Sequence, residues 1–368
     1  MTWQRTGADD ESVILFSEKM TRDAERKMVF GSVMEAANVK AEKAFKHPEF
    51  NKTEGIITVH TEFVAEAGYE LRIHNTPAVF SPGVKGDSNA IDQSIELDIF
   101  TQKLYYDYVR LPFQSAGKKQ EDMTLLKFME TAEKSGARWA ARQLEGSVAA
   151  MLWGIATPNN PAKLRYLNQL GASDTTLTEV MGNALSSYVY DTDHIIYAGG
   201  KTSDAQVAAD TAATLSAAEL DKIITTIEED ADVPIEYATI DDQPTAFFFI
   251  PGRGVEQLPS DPDYQRIVQQ TAGSENKLVK RAVGRYGPLV IVEYPNCLNP
   301  VANVARGVIA GRNAIQFCKK SGIEPWRGTK DTHDWIKLYA LMMGYGLAPT
   351  YFDGTRRNSW AFDFYVRS

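Results

Sequence analysis

The chain has 368 residues, of which 43% are hydrophobic and 24% are charged. This composition is typical of globular proteins and excludes collagen, long coiled coils and global disorder. The 39 Lys and Arg stand against 48 Asp and Glu, giving a formal net charge of −9. Nucleic-acid readers usually present a basic surface, so the charge argues against that class.

Cysteine content and targeting signals narrow the class further. The two cysteines, Cys297 and Cys318, are too few for a disulfide scaffold or a four-cysteine zinc site, and we expect both thiols to be half-buried. The N-terminus has no basic-then-apolar signal segment. The longest nearly apolar run, 339–349, is shorter than the ~18–20 residues of a membrane-spanning helix. We therefore expect a soluble protein made in a reducing cytoplasm, with no membrane partner.

The first fifty residues are predicted to form an arm. A helix that begins at Ser17 must end before Pro48, because proline lacks a backbone N–H and clashes with the preceding turn. The apolar content of this segment is thin. We expect it to need a partner surface rather than a core of its own.

An open hairpin is predicted next. Apolar and polar residues alternate over 57–61, 69–73 and 95–99, which is typical of half-buried strands. The sixteen residues 75–90 between the last two strands are rich in proline and glycine, which break regular structure. A loop of this length is usually functional. Because a two-stranded hairpin is marginal in water, we expect this one to lie on another surface.

A long helix is predicted over 121–155, ended by Pro158. At 1.5 Å per residue it would form a rod of roughly 45 Å, a structural spine. Glu133, Gly136 and Gly146 interrupt its apolar stripe. The residues assigned to the spine are Leu126, Met129, Trp139, Leu144, Val148 and Met151.

The rest of the chain predicts a mixed α/β region. A short strand at 195–197 precedes a capping box, Ser216 with Glu219, at the start of an amphipathic helix. The apolar runs 246–250 and 289–292 predict buried strands. Alternation over 360–366 predicts a last strand.

No complete catalytic or cofactor motif occurs. Gly200-Lys201-Thr202 is similar to the end of a phosphate-binding loop, but Ile195 stands where that loop needs its first glycine. Gly252-Arg253-Gly254 and Gly344-Tyr345-Gly346 lack the third glycine of a dinucleotide fingerprint. His194 and His333 each lie beside aspartates, yet no third metal ligand follows at a telling distance. Surface loops are the favoured interpretation of both clusters.

Seven stretches, taken in order, carry a resemblance to a known family. They are Phe16–Arg22, Pro82–Asp87, the tyrosines Tyr105, Tyr106 and Tyr108, Phe247–Pro251, Asp263–Gln265, Val283–Glu293 and Arg306–Ala314. By their order and spacing they resemble the major capsid proteins of tailed bacteriophages, and more narrowly the N4-like podovirus major capsid proteins. The resemblance covers nearly the whole chain.

The resemblance implies an α+β fold of the tailed-phage and herpesvirus capsid type. It assigns 1–54 to an N-terminal arm, 55–113 to an extended β-hairpin loop, 114–156 to a peripheral domain with the spine helix, 157–300 mainly to an axial α/β domain, and 301–368 to return strands. The tip of the extended loop would lie across a neighbouring subunit. Its residues are Pro77, Phe80, Pro82, Gly83, Gly86 and Asp87.

The function implied by the resemblance is structural. Many copies, as pentamers and hexamers, would form the icosahedral capsid of a virion around double-stranded phage DNA, assembled in the host cytoplasm. Implied partners are a separate scaffolding protein, a portal at one vertex and, in some shells, a decoration protein. The DNA is enclosed without sequence-specific binding, and no enzyme activity, cofactor or metal is implied.

Two alternatives stay open. The chain could be the shell protein of a bacterial nanocompartment with the same fold. It could also be a soluble α/β enzyme with a site near Lys201, or near His194 and His333.

Overall fold

The structure is a computed structural model. It describes residues 55–60, 70–75, 99–105, 107–115, 128–155, 159, 189–230, 234–240, 243–265, 282–329, 337–352 and 355–367. The elements in chain order are β1 (Ile57–His60), β2 (Glu70–Asn75), β3 (Phe100–Tyr105), β4 (Asp107–Gln114), α1 (Phe128–Trp153), β5 (Ile195–Tyr197), α2 (Asp204–Ala209), α3 (Ala217–Thr225), β6 (Ala238–Ile240), β7 (Gln243–Ile250), α4 (Gly252–Val255), β8 (Ala282–Tyr286), β9 (Leu289–Glu293), β10 (Val304–Ala310), β11 (Ile315–Thr329), β12 (Lys337–Pro349), β13 (Tyr351–Phe352), β14 (Thr355–Arg356) and β15 (Ser359–Tyr365).

Two large sheets organise the described residues. The four-stranded sheet has the order β1-β11-β12-β4, and the seven-stranded sheet has the order β5-β15-β10-β7-β9-β8 with β6 paired to β7. Two separate two-stranded pairs, β2 with β3 and β13 with β14, complete the described strands. Helix content beside two mixed sheets makes the fold α+β, as the sequence predicts.

The seven-stranded sheet contains the predicted buried strands. The apolar runs 246–250 and 289–292 form β7 and β9, which pair in parallel, and both runs are buried. Helix α3 covers part of this sheet and begins as predicted, because Ser216 Oγ accepts a hydrogen bond from the backbone N–H of Glu219 at 3.4 Å. Glu219 does not return the bond to Ser216. Its Oε1 atom accepts from the N–H of Gly199 at 3.0 Å, which ties α3 to the turn after β5.

Helix α1 is the predicted spine, with a different end. It comprises 26 residues, which give a rod of about 39 Å. The prediction that it extends to Ile155 is wrong, because Gly154 takes φ 54° and its N–H bonds back to Ala150 O at 3.1 Å, the left-handed ending that glycine favours. The predicted start at 121 lies outside the described residues.

The predicted spine residues pack toward the four-stranded sheet. Val148 and Met151 are buried, while Trp139 and Leu144 are half-buried and contact the same core. The side chain of Met129 and the whole of Leu126 lie outside the described residues. Gly136, predicted to interrupt the stripe, is instead a point of close contact, because a Cβ atom there would overlap Leu341 on β12.

An antiparallel pair of strands begins with the first predicted strand of the open hairpin. β2 and β3 pair from Glu70 opposite Tyr105 to Asn75 opposite Phe100. Of the second predicted strand, 95–99, residues 95–98 lie outside the described residues, and Ile99 is not part of a strand, so the partner of β2 is 100–105 instead. β1 and β4 lie in the four-stranded sheet rather than in the hairpin, because their apolar residues Ile57 and Val109 are buried in its core.

Burial corrects two further expectations. The last strand, β15, is confirmed, but its polar residue Asp363 is fully buried. Cys297 and Cys318 are fully buried rather than half-buried, and the Cys297 thiol donates to Tyr294 O at 3.0 Å. In the described part of the chain, no helix is long and apolar enough to cross a membrane.

Candidate functional site: a buried joint and an exposed sheet face

The C-terminal end of α1 meets the seven-stranded sheet at a buried joint. The last carbonyls of a helix have no partner within it, and they form the negative end of its dipole. The last turn of α1 has no basic residue. Arg356 supplies the cation from β14: its Nη2 atom donates to Met151 O at 2.7 Å and to Leu152 O at 3.1 Å. The helix end is therefore capped by an arginine that lies some 200 residues further along the chain.

Tyr190 connects two arginines in this joint. Its hydroxyl donates to Leu152 O at 2.7 Å, so this helix-end carbonyl accepts from both Tyr190 and Arg356. The guanidinium carbon of Arg356 lies 3.8 Å from the Tyr190 ring centroid, and that of Arg306 lies 5.9 Å from it. Both are cation–π distances. Burial raises the pKa of Tyr190, so the phenol stays neutral and remains a donor.

Arg306 and Asp363 form the charged centre of the joint. They lie opposite each other on β10 and β15, and the guanidinium binds the carboxylate through two contacts of 2.8 and 2.5 Å. Both side chains are almost fully buried. The Trp153 indole N–H donates to Arg306 O at 2.8 Å, so the last residue of α1 is tied to the same strand. These contacts fix the position of the helix on the sheet.

The joint could not be read from local patterns. Arg306 belongs to the 306–314 stretch that carries the family resemblance, but no role was predicted for it. Asp363 was predicted only as a polar position of an alternating strand. The two residues are 57 positions apart, and no local spacing rule joins them. The only signal available was a charged residue inside each of two strongly apolar strands.

The four-stranded sheet leaves one face exposed. Its other face packs on α1 through Tyr339, Leu341 and Met343, which are buried. Strand register places Trp326, Ala340 and Pro112 in one row across the outward face. Trp326 is 50% exposed, an unusual position for the largest apolar side chain. The half-buried Leu338 and Met342 lie on the same face, so the row has apolar neighbours.

The base of the hairpin is anchored close to this sheet. Gln102 Nε2 donates to Pro349 O at 2.6 Å, and Gln102 Oε1 accepts from Tyr351 N at 3.2 Å. The rings of Phe100 and Phe352 stack at 5.7 Å. These contacts hold β3 against the segment that follows β12. The predicted tip residues lie outside the described residues, namely Pro77, Phe80, Pro82, Gly83, Gly86 and Asp87.

The described residues of the alternative enzyme sites, Lys201 and His194, each have structural contacts. Lys201 pairs with Asp210 at 2.8 Å beside a turn in which Gly199 and Gly200 have positive φ. The imidazole of His194 stacks on Trp360 at 4.6 Å, and burial lowers its pKa. The surface-loop interpretation of His194 is wrong, because it is buried. His333 lies outside the described residues, and no metal-binding cluster of His, Cys, Asp or Glu occurs among those that are described.

The two glycine pairs lie in different structural settings. A Cβ atom at Gly254 would overlap the Phe364 ring, so this glycine lets α4 approach β15. Gly344 and Gly346 lie within β12 on either side of the buried Tyr345, whose hydroxyl is 3.0 Å from Ser147 Oγ on α1. Gly252 and Gly254 follow β7 and open α4, but α4 has only four residues, and Gly344 and Gly346 lie inside a strand. Neither arrangement is the strand, glycine-rich turn and long helix that bind a dinucleotide.

Comparisons with known proteins identify the fold. No protein-family model and no curated protein sequence matches the chain. Among solved structures, the capsid of Ralstonia phage GP4 matches with a TM-score of 0.69 and 17% identity, over 86% of this chain and 88% of that chain. The capsid of cyanophage Pam1 matches with a TM-score of 0.63 and 15% identity, over 86% and 90%. The head structure of Helicobacter pylori bacteriophage KHP40 matches with a TM-score of 0.60 and 11% identity, over 86% and 88%.

The class of fold follows from these matches and from the two sheets, the spine helix and the open hairpin. The chain has the fold of tailed-phage major capsid proteins, as the sequence resemblance implied.

Proposed function

We propose that the chain is a major capsid protein, a structural subunit without enzymatic activity. The similar chains belong to phage capsids and a phage head. The observation that carries the proposal is the outward face of the four-stranded sheet. Exposing half of Trp326 beside other apolar side chains does not stabilise a monomer, because apolar surface in water is unfavourable. A subunit that packs against copies of itself buries such a patch.

The finer parts of the proposal follow the sequence resemblance. The subunits form pentamers and hexamers of an icosahedral shell that encloses double-stranded DNA in the virion, after assembly in the host cytoplasm. A separate scaffolding protein, a portal and, in some shells, a decoration protein are its partners. Among tailed phages, the N4-like podoviruses are the proposed group. The boundaries 1–54, 55–113, 114–156, 157–300 and 301–368 are the proposed division of the subunit.

The role of the extended loop is also part of the proposal. The base of the hairpin is held by Gln102 and Phe100, so the loop projects from a fixed point, as a contact arm requires. We assign Pro77, Phe80, Pro82, Gly83, Gly86 and Asp87 to the part that lies on a neighbouring subunit. The inner surface of the shell is neutral or acidic, because a basic lining would hold the packed DNA.

A loop deletion tests the contact role. The chain without 77–88 should be a soluble, folded subunit that no longer forms stable shells, because both described cores are built from other parts of the chain. Far-UV circular dichroism reports folding, and negative-stain electron microscopy reports shells. Replacement of 77–88 by a glycine-serine segment of equal length is the matched control for hairpin closure. Normal shells from both variants would exclude the loop as an assembly contact.

The contents of purified shells decide between the two shell functions. Packaged DNA and an associated portal support the capsid. An enclosed enzyme in place of DNA would support the nanocompartment.

A further inference from the structure

On the side of the joint that faces α2, two carboxyl groups lie near one arginine. The Nη2 atom of Arg306 lies 2.5 Å from Asp363 and 3.9 Å from Asp204, the first residue of that helix. Asp363 is fully buried, and Asp204 Oδ1 is buried without a hydrogen-bond partner. One guanidinium cannot neutralise two carboxylates. Although the Asp204 side chain is 26% exposed, its buried Oδ1 atom is shielded from the water that would stabilise a second negative charge, which is therefore costly. An orphaned buried oxygen adds to that cost.

One bound proton would remove both the excess negative charge and the unpaired oxygen. If one of the two carboxyl groups is neutral, a single negative charge faces Arg306, and the acid O–H can donate to the other carboxylate. The orphaned Asp204 oxygen then has a hydrogen-bonding role. α2 also needs such a contact, because Ser203, its N-cap residue, makes no side-chain capping bond.

We propose that Asp204 and Asp363 share one proton and that this proton holds the first turn of α2 against the seven-stranded sheet. The pair is a pH-sensitive clasp inside the subunit, and it does not depend on the proposed capsid function. As the solution becomes alkaline the proton leaves, the two carboxylates repel each other, and α2 loosens at its N-terminal end.

The groups around Asp363 leave the carboxyl pair as the titrating unit near neutrality. Arg306 faces it from β10, Asp204 from α2, and Tyr197 lies opposite it on β5. Tyr190 faces it from the segment before β5, and burial raises the pKa of both tyrosines, which stay neutral. His194 lies nearby on Trp360, but burial lowers its pKa, so its titration is confined to more acidic solution.

The direction of the pH effect follows from the carboxyl pair. Burial, together with the Asp204 carboxylate, raises the pKa of Asp363 from its ordinary value of 3.8 to about 7. Between these two values the folded chain binds a proton that the unfolded chain has released. The contribution of the clasp is therefore complete below about pH 4 and is lost as the pH rises through about 7.

Amide hydrogen exchange on the full-length chain tests the clasp directly. We measure protection factors, corrected for intrinsic exchange, for the peptide that spans 204–210 at several pH values between about 5 and 8. They should fall with rising pH in the unchanged chain. In Asp204→Asn they should be independent of pH, because a single carboxylate then faces Arg306 and stays ionised throughout.

One control variant and a second measurement make the result decisive. Asp210→Asn is the matched control, since Asp210 is the C-cap residue at the other end of the same helix, where its half-buried carboxylate pairs with Lys201, and it should keep the pH dependence of the unchanged chain. The melting temperature should show the same pattern, with a decrease of roughly 2–4 °C across this range that disappears in Asp204→Asn. The same pH profile in Asp204→Asn and the unchanged chain, or a flat profile in the unchanged chain, would overturn the proposal.

Discussion

The two large sheets differ in how their faces are covered. The central strands of the seven-stranded sheet, β10 and β15, are buried on both faces, since every residue of β10 is buried and only Tyr365 of β15 is half-exposed. The four-stranded sheet buries one face on α1 and exposes Trp326 on the other. Among the described residues, one sheet is therefore covered on both faces at its centre, whereas the other has an exposed tryptophan on one face.

The buried joint connects the seven-stranded sheet to the helix that carries the four-stranded sheet. Arg356, Tyr190 and Trp153 hold the end of α1 on the seven-stranded sheet. Because α1 also carries the four-stranded sheet, the exposed face is held in a fixed orientation relative to the seven-stranded sheet. A surface held in this way can make the same contact in every copy, which closed symmetric assemblies require.

The largest expected effect comes from breaking the joint. Arg306→Met leaves Asp363 buried without its cation, which should lower the free energy of unfolding by about 3–5 kcal/mol. Denaturant unfolding of the unassembled subunit measures it. Arg253→Met is the matched control, because the Arg253 side chain is exposed on α4, and it should cost less than about 1 kcal/mol. Equal losses of unfolding free energy in the two variants would mean that the buried ion pair stabilises the subunit no more than an exposed arginine does.

A smaller effect is expected on the covered face of the four-stranded sheet. Gly136→Ala places a Cβ atom into Leu341, so it should destabilise the subunit by about 1–3 kcal/mol, even though alanine is the better helix former. Unfolding of the single variants and of the double variant with Leu341→Ala forms a cycle. The cost of Gly136→Ala should shrink when Leu341 is shortened. Strictly additive losses would contradict the predicted contact.

The smallest effect on stability, and a large one on assembly, is expected on the exposed face. Trp326→Ser should change the free energy of unfolding by no more than about 0.5 kcal/mol, because half of the side chain is in water already. Shell yield, measured by sedimentation, should fall sharply, since buried tryptophans commonly contribute about 2 kcal/mol or more to a contact. Glu324→Gln, on the same face, is the matched control and should assemble normally. A stable Trp326→Ser subunit that forms normal shells would remove this face from the interface.

Sequence patterns predicted the elements whose signal is local. The apolar runs of β7 and β9, the capping box of α3, most of α1 and the first strand of the open hairpin follow from periodicity and from proline and glycine positions. Gly136 was misinterpreted because its reason is Leu341, which lies on a strand 205 residues later. The burial and the roles of Asp363 and Arg356 were not predicted for the same reason. A charged residue can be recognised as buried only when its partner is known, and the partners of these two residues are distant in the chain.

The most direct test of the central claim is the size of the particle that the full-length chain forms. Purified recombinant protein, alone and with its candidate scaffolding protein, is examined by negative-stain electron microscopy and analytical sedimentation. Closed icosahedral shells of many subunits, lost in Trp326→Ser and retained in Glu324→Gln, are the predicted result. A monodisperse small oligomer under both conditions, unaffected by either substitution, would contradict the proposal that this chain builds a capsid.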